Sequence, residues 1–350
     1  MSTSVSVVIP AHNAARTLPY CLAALAGQSR APDEVLVVDD ASSDGSGRLA
    51  VAAGARVVAH SVNQGVSAAR NRGVAASTGD VVFFVDADVA LAPDAVAWAL
   101  AILQADPQVG CVHGVYDPEP LIDDGPWEHY KVLSNHCWRR RSVGRVGTAL
   151  FALGAVRREV LLAAGGFDER LRDGEDVELS NRLRPLCTIV LTDRVVGRHD
   201  DASRARAVLS EQFRRSRLLV PMALAERRAP PAGPQAPTLT GQRPLAVACT
   251  ALALLAAVSA VPVAAAGPWW PVPAVTAAAL LACGVLADPG LVAFVRARRG
   301  TAFLGFFLAA QAAVLLTLVA GAAVGAVGAL LAPGRAAGNR EPANGTAAAR

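Results

Sequence analysis

The sequence predicts an α/β domain built on a mostly parallel, doubly wound sheet, followed by a C-terminal region of transmembrane helices. Three observations predict this. Short β-branched runs alternate with helical stretches through the first 115 residues, Ala229–Pro244 contains five prolines, and three long uncharged stretches follow. Alternating strands and helices with short connections favour a parallel sheet with right-handed crossovers.

The predicted elements of the sheet follow one another in regular order. Five short runs rich in β-branched residues are predicted strands: Val5–Ile9, Val35–Val38, Arg56–Ala59, Val81–Val85 and Val109–Val115. Four helical stretches lie between them: Ala14–Gly27, Ser46–Ala53, Val66–Ser77 and Asp94–Gln104. From Asp117 to Arg206 the pattern is less regular, with strand-like residues at Thr188–Leu191 and Val195–Val196.

The C-terminal part is apolar enough to predict about three membrane spans. Leu245–Gly267 and Val272–Ala287 approach or exceed bilayer length, and Ala302–Ala332 would form a helix about 46 Å long at roughly 1.5 Å per residue. Trp269 and Trp270, between prolines, predict an interfacial turn. We therefore expect an α/β domain at 1–226, a proline-rich linker at 227–244, transmembrane helices at 245–332 and a disordered tail at 333–350.

Arginines predict the orientation of these spans. They flank the apolar stretches at Arg227, Arg228, Arg243, Arg296, Arg298 and Arg299. The positive-inside rule places them in the cytoplasm, so we expect a multi-pass protein of the cell membrane with a cytoplasmic α/β domain. The net charge of +4 does not indicate a nucleic-acid partner, because the surplus arginines lie beside apolar spans.

Paired carboxylates end two of the predicted strands. Asp86 and Asp88 follow Val81–Val85, and Asp39 and Asp40 follow Val35–Val38. Ligands of open α/β sheets bind outside the carboxyl ends of the strands. Carboxylates there suit Mg²⁺ or Mn²⁺ carrying a phosphorylated substrate. An Asp-Asp pair after a strand is also found in response-regulator-like domains and in helix caps.

Two further motifs each allow two interpretations. Arg70, in Asn63–Gly73, either faces a diphosphate, which its planar guanidinium fits, or belongs to a solvated helix face. The acids in Asp173–Leu183 either stabilise the start of a helix or supply a general base.

Five stretches in this order resemble glycosyltransferase family 2, whose members have a nucleotide-sugar-binding GT-A fold. They are VSVVIPAHN, VLVVDDASSDGS, NQGVSAARNRG, GDVVFFVDAD and GGFDERLRDGEDVELSNRL, and they cover about Ser4 to Arg217. The resemblance implies an inverting transfer of a sugar from a nucleotide-diphosphate sugar to a hydroxyl acceptor, with Mg²⁺ or Mn²⁺ as cofactor. With the membrane spans, it implies an acceptor that is lipid-linked or a cell-envelope glycan.

The resemblance also implies roles for individual residues. Donor-binding residues would be Pro10, Asn13, Asp39, Asp40, Arg70 and Asp86. Metal ligands would be Asp86, Asp88 and His199. Asp176 would be the catalytic base, with Glu175 beside it.

The sequence departs from the processive synthases of this family and leaves alternatives open. Gln212–Ser216 matches the start of their QxxRW motif but ends in serine instead of tryptophan. Trp127, Tyr130, Trp138 and Arg139–Arg141 either form an acceptor-side membrane surface or belong to a packed helix. An inert nucleotide-sugar-binding scaffold subunit of a membrane assembly is the alternative function. A nucleotidyltransferase is a third, disfavoured because Pro10–Asn13 has no glycine.

Overall fold

The computed structural model describes residues 3–171, 173–220, 241–269 and 271–331. The strands are β1 Val5–Ala11, β2 Glu34–Asp39, β3 Arg56–Ala59, β4 Val81–Val85, β5 Val89–Leu91, β6 Val109–Tyr116, β7 Gly144–Val146, β8 Leu153–Arg157 and β9 Thr188–His199. The helices are α1 Leu18–Ala26, α2 Ser46–Ala52, α3 Val66–Ala76, α4 Ala95–Ala105, α5 Pro126–Arg141, α6 Arg158–Ala163, α7 Glu175–Leu183, α8 Ala205–Ser216, α9 Pro244–Ala266, α10 Pro271–Val285 and α11 Pro289–Leu331. Most of the predicted linker, Trp270 of the predicted turn and the predicted tail lie outside the described residues.

The strands form one mixed sheet in the order β3-β2-β1-β4-β8-β6-β9-β5, with β7 beside β9. β1 to β4 are parallel, which confirms the α/β expectation for the first half of the domain. Beyond β4 the sheet is mixed: β8 runs antiparallel to both β4 and β6, whereas β6 and β9 are parallel. Antiparallel neighbours need no helical crossover, so the alternation of strands and helices in the first half of the domain does not predict them.

The strand β4 occupies the centre of the sheet. All five of its residues are buried, and they alternate between two apolar clusters on opposite faces. Phe83 packs into the cluster that includes α1 and α4, whereas Phe84 packs with Phe151 and Phe167 on the other face. A strand that is buried on both faces has a continuous apolar sequence, so β4 could be predicted from the sequence.

Helix α5 packs against the protein through Tyr130 and Arg139, whereas Arg140 and Arg141 at its end are exposed. Tyr130 is 3% exposed, and its Oη donates a hydrogen bond to Oε1 of Gln311 in α11 at 2.6 Å. Arg139 is 5% exposed, donates to the carbonyl of Gly114 at 2.9 Å and covers the Tyr116 ring at 4.0 Å. Of the two interpretations, the packed helix is therefore the correct one for these side chains.

The C-terminal region contains one helix, among the described residues, that is long and apolar enough to cross a membrane. This is α11, in which an 18-residue window has a mean hydropathy of 2.4 and which has a break at Gly300, where φ is 79°. Helix α9 has 23 residues, about 34 Å at 1.5 Å per residue, and its apolar segment among the described side chains is Pro244–Ala260. The 15 residues of α10 span about 22 Å at 1.5 Å per residue, less than the hydrocarbon core of a bilayer. The number of spans, about three, stays a prediction.

Helix α11 contacts the α/β domain through small residues. A Cβ atom at Gly321 would lie 2.8 Å from the carbonyl oxygen of Phe213, and one at Gly325 would lie 2.1 Å from that of Arg217. Ser216, where the processive synthases carry tryptophan, is 1% exposed and also borders Gly321. Small residues on both sides allow the end of α8 to approach the backbone of α11 closely.

Two glycines of α11 provide a matched test of this contact. We expect Gly325→Ala to lower the free energy of unfolding by about 1–3 kcal/mol, because its methyl group would overlap a backbone carbonyl. Gly328 has no neighbouring atom within 4 Å of the position of a Cβ, so Gly328→Ala should change stability by no more than about 0.5 kcal/mol or increase it. The measurement is thermal unfolding of the full chain in detergent. Equal effects of the two substitutions would contradict the packing.

Candidate active site

A cleft of about 460 Å³ opens at the carboxyl ends of β1, β2 and β4. The loops that follow these strands form most of its wall. Residues predicted from the sequence line it at Pro10, Asn13, Asp40, Asp86 and Asp88. The position agrees with the rule that open α/β sheets bind ligands beyond the carboxyl ends of their strands.

Asp40 fixes one wall of the cleft. Its Oδ1 accepts a hydrogen bond from the backbone N–H of Gln64 at 2.8 Å and lies 2.7 Å from Nδ1 of His60, while its Oδ2 accepts from the N–H of Gly65 at 2.8 Å. Burial would raise the pKa of Asp40, but these hydrogen bonds outweigh burial and hold the pKa below its ordinary value. The loop at residues 60–65 therefore engages both carboxylate oxygens of Asp40.

The loops after β1 and β2 brace each other. Asn13 has a φ of 52°, a left-handed conformation that asparagine tolerates, and its Oδ1 accepts a hydrogen bond from the N–H of Ser43 at 2.9 Å. Asp39 does not line the cleft. Its Oδ1 accepts a hydrogen bond from the N–H of Ser42 at 2.9 Å, so Asp39 stabilises the loop after β2.

The turn that carries Asp86 and Asp88 is held by a strand that the sequence did not reveal. Val89, at the start of β5, pairs with His199, at the end of β9. The N–H of Asp200 donates to the carbonyl of Asp88 at 3.0 Å. This pairing brings Nε2 of His199 to 3.7 Å from Oδ1 of Asp88.

Asp88, with His199 at 3.7 Å and Asp86 two residues earlier, has an environment that suits a divalent cation. Oδ1 of Asp88 is buried and lacks a hydrogen-bond partner, and burial raises the pKa of Asp88 to about 6. A buried, unpartnered carboxylate oxygen is costly, and a bound cation would satisfy it. The described residues contain no group of three or more His, Cys, Asp or Glu side chains arranged to hold an ion alone. An ion here would need further oxygen ligands from a substrate, as Mg²⁺ commonly has in phosphate-binding sites.

Arg70 joins the carboxylates of the cleft to those of α7. Its guanidinium is 2% exposed; Nη2 donates to Oδ1 of Asp86 at 3.0 Å, and Nη1 donates to Glu175 at 3.2 Å and to Asp176 at 3.3 Å. It also lies 5.2 Å from the centre of the Phe167 ring. The sequence suggested that Arg70 faces a diphosphate, but the structure places its guanidinium among carboxylates of the protein.

Asp176 has the environment of a general base. Its Oδ2 accepts a hydrogen bond from the N–H of Phe151 at 3.2 Å. Burial raises the pKa of Asp176 to about 7; Glu175 and Asp86 add to the increase, and Arg70 opposes it. A carboxyl group with a pKa near neutrality accepts protons efficiently at the pH of the cell.

The comparisons with known proteins agree with this geometry. Residues 6–152 match the family model of glycosyl transferase family 2. This part of the chain is similar to glycosyl transferase family 2 domains. The matched residues contain β1 to β4 and every predicted donor residue of the cleft wall, and Asp176 and His199 lie C-terminal to them.

Relatives of the chain are named as glycosyltransferases or as proteins of polysaccharide synthesis. An uncharacterized glycosyltransferase of Haemophilus influenzae is 25% identical over 51% of this chain and 61% of its own length. The succinoglycan biosynthesis protein ExoU of Rhizobium meliloti is 31% identical over 51% of this chain and 56% of its own. The matches thus span roughly three-fifths of these relatives.

A solved structure shares the fold over nearly the whole chain. The mannosyltransferase PcManGT from Pyrobaculum calidifontis, in complex with GDP-Man and Mn²⁺, aligns with 92% of this chain and 87% of its own at 23% identity and a TM-score of 0.56. The coverage includes the C-terminal helices as well as the sheet. The α/β domain of this chain therefore has a GT-A-like fold.

Two residues that line the cleft, Arg16 and Asp200, were not predicted from the sequence. Arg16 lies in the loop before α1, where Nη1 is 3.7 Å from Asp200, and it also pairs with Asp124. Asp200 follows His199 directly, so the run of polar residues at the end of β9 was the available signal. Arg16 adds a cation to a cleft whose other charged lining residues are aspartates.

The central position of Arg70 leads to a stability prediction. Arg70→Gln leaves Asp86, Glu175 and Asp176 without their shared cation, and we expect a loss of about 3 kcal/mol in the free energy of unfolding. Arg72→Gln is the matched control, because Arg72 is exposed on the same helix and should contribute no more than about 0.5 kcal/mol. Chemical denaturation of the two variants measures both values. Similar losses in both would show that the carboxylates do not depend on Arg70.

Proposed function

We propose that the chain transfers a sugar from a nucleotide-diphosphate sugar to a hydroxyl acceptor, with inversion at the anomeric carbon. The observation that carries the proposal is the placement of Asp176. Arg70 links this desolvated carboxyl to Asp86 on the wall of the cleft, which supports a proposed base beside a proposed metal-binding turn. The match to glycosyl transferase family 2 supports the same reaction.

The cleft suits a nucleotide-diphosphate donor. The loops braced by Asn13, Asp39 and Asp40 would border the nucleoside, with Pro10 at the strand end, and Arg16 would lie beside the diphosphate. PcManGT, which shares the fold, holds GDP-Man and Mn²⁺. From it we carry over only the class of donor, not the sugar or the base.

Asp86, Asp88 and His199 would hold Mg²⁺ or Mn²⁺. When bound, a divalent cation stabilises the negative charge that develops on the leaving diphosphate. The protein's own part is to present Asp88 without a competing partner and to orient Asp86 through Arg70.

The reaction itself is a single displacement. The acceptor oxygen forms a bond to the anomeric carbon while the bond from that carbon to the diphosphate oxygen breaks, and its electron pair leaves with the diphosphate. Asp176 accepts the proton of the acceptor hydroxyl, a step that typically contributes 10²–10⁴-fold. Glu175 shares the Nη1 of Arg70 with Asp176 and so helps to position the base. Holding donor and acceptor in one cleft supplies further acceleration.

The C-terminal helices support attachment to a membrane. Apolar side chains point outward on α9, α10 and the end of α11, where the exposure of Leu255, Val275 and Leu331 is 67%, 67% and 81%. Apolar surface of this extent needs cover by lipid or by another protein. Arg298 and Arg299 pair with Glu119 of the transferase domain. This contact supports our proposal that the arginines and the domain share one side of the membrane, the cytoplasmic side by the positive-inside rule. We infer an acceptor that is lipid-linked or part of a cell-envelope glycan.

The role of Asp176 is tested with purified full-length protein, Mn²⁺, native lipid extract and a panel of nucleotide sugars. We expect Asp176→Asn to reduce donor-dependent transfer by at least about 10²-fold, because the base is lost. In the wild type, transfer should rise with pH and level off above about 7, because Asp176 accepts a proton only after losing its own.

Glu178→Gln is the control for this experiment. Glu178 lies in the same helix but pairs with Arg182, away from the cleft, and its replacement should leave transfer and the pH profile unchanged. Donor binding without transfer in the wild type would instead favour an inert nucleotide-sugar-binding scaffold. Equal transfer by wild type and Asp176→Asn would remove Asp176 from the mechanism.

Membrane attachment is tested by washing membranes that contain the expressed protein with alkaline carbonate. We expect the wild type to remain in the membrane pellet and a variant with Leu252, Leu255 and Val258 changed to serine to be partly released. Each apolar side chain removed from lipid costs about 1.5–3 kcal/mol. The control changes the exposed Val51, Val62 and Leu162 of the transferase domain to serine and should stay in the pellet. Release of the wild type would refute the attachment.

A further inference from the structure

Lys131 is the only lysine in the 350-residue sequence, among 33 basic residues of which the others are arginines. It lies in α5, within the family 2 match, and no step of the proposed reaction uses it. Its ammonium group is mostly buried and contacts two carboxylates, Oδ1 of Asp201 at 2.7 Å and Oε2 of Glu211 at 2.6 Å. The chain uses arginine at every other basic position but has a lysine here.

The geometry of the pair explains why a lysine fits this position. Two carboxylates from different segments meet at a single nitrogen atom, which an ammonium group provides as a compact point charge. A planar guanidinium is larger and presents its donors in a fork, so it would separate Asp201 from Glu211. Burial lowers the pKa of Lys131, but the two carboxylates outweigh burial and keep the pKa above its ordinary value, so the group is charged.

Asp201 connects this lysine to the cleft. Its side chain is 6% exposed, and Oδ2 lies 3.4 Å from Nδ1 of His199 and accepts a hydrogen bond from Nδ2 of Asn135 at 3.1 Å. The His199 ring stacks on Tyr116 with 4.6 Å between centroids. The other ring nitrogen of His199 faces Asp88. A carboxylate behind a metal-binding histidine usually fixes its tautomer and orientation.

We propose that Lys131 is a positioning residue that holds Asp201 behind His199 and thereby aims the imidazole at a cation bound by Asp88. This inference rests on the metal site of the proposed function. Lys131 neutralises a carboxylate that would otherwise be buried beside acidic residues. It holds Oδ1 of this carboxylate, so that the other oxygen, Oδ2, is oriented toward His199.

The same lysine links the cleft to the helix that carries the membrane contact. Glu211 belongs to α8, and the end of α8 packs on Gly321 of α11. Lys131 therefore joins α5, α8 and the end of β9 at one point. The position of His199 then depends on how α5 and α8 pack against each other.

The test measures Mn²⁺ binding, independent of turnover, in the full chain purified in detergent. Mn²⁺ is added with UDP and, separately, with GDP; continuous-wave electron paramagnetic resonance gives its affinity, and pulsed measurements detect nitrogen coupling from a histidine ligand. We expect the wild type to show nitrogen coupling that is lost in His199→Gln. Lys131→Met should lose that coupling and bind Mn²⁺ about tenfold more weakly, the lower end of the range for residues that support metal ligands. Arg30→Met, which removes an exposed ion pair with Asp33, is the matched control and should retain both properties.

The possible outcomes separate the inference from the proposed function. A folded Lys131→Met variant with unchanged nitrogen coupling would overturn the inference. If that variant does not fold, Asp201→Asn decides, because it keeps the size of the side chain but removes its charge. Unchanged coupling in Asp201→Asn also overturns the inference. If Asp88→Asn binds Mn²⁺ as tightly as the wild type, or the wild type shows no nitrogen coupling, the metal site itself is wrong and the inference fails with it.

Discussion

The arrangement of the active site depends on the buried guanidinium of Arg70 among three carboxylates. Asp86, Glu175 and Asp176 could not lie together in a desolvated region without a cation between them, because their mutual repulsion would be uncompensated. Arg70 is long enough to cross from α3 to both β4 and α7, and its planar fork contacts more than one acid at once. It therefore sets the distance between the proposed base and the proposed metal-binding turn.

The sheet provides the second constraint. The parallel strands β1, β2 and β4 bring their carboxyl ends to one edge, and the loops after them form the cleft wall. The short strand β5 then turns back to pair with β9, so that His199 lies opposite Val89 and next to Asp88. Parallel pairing gathers the donor-side residues, and antiparallel pairing adds the histidine from a remote part of the chain.

The C-terminal helices and the transferase domain form one connected structure. Tyr130 and Gln311 share a buried hydrogen bond, aromatic side chains of α5 and α11 interlock, and glycines of α11 contact the end of α8. This packing joins the exposed apolar surface of the C-terminal helices to the domain that carries the cleft. Under the proposed membrane attachment, the cleft would lie close to the bilayer.

The first half of the fold and the candidate residues of the cleft could be predicted from the amino-acid sequence. β1 to β4 and α1 to α4 follow from local alternation of apolar and polar residues, and the aspartates stand out because each pair ends a strand. The contacts of these side chains could be seen only in the folded chain. Arg70 pairs with acids more than 100 residues away, β5 has only three residues, and the buried face of α5 is defined by a helix that begins at Pro289. Local pattern carries no information about such partners, because their proximity arises from packing between distant segments.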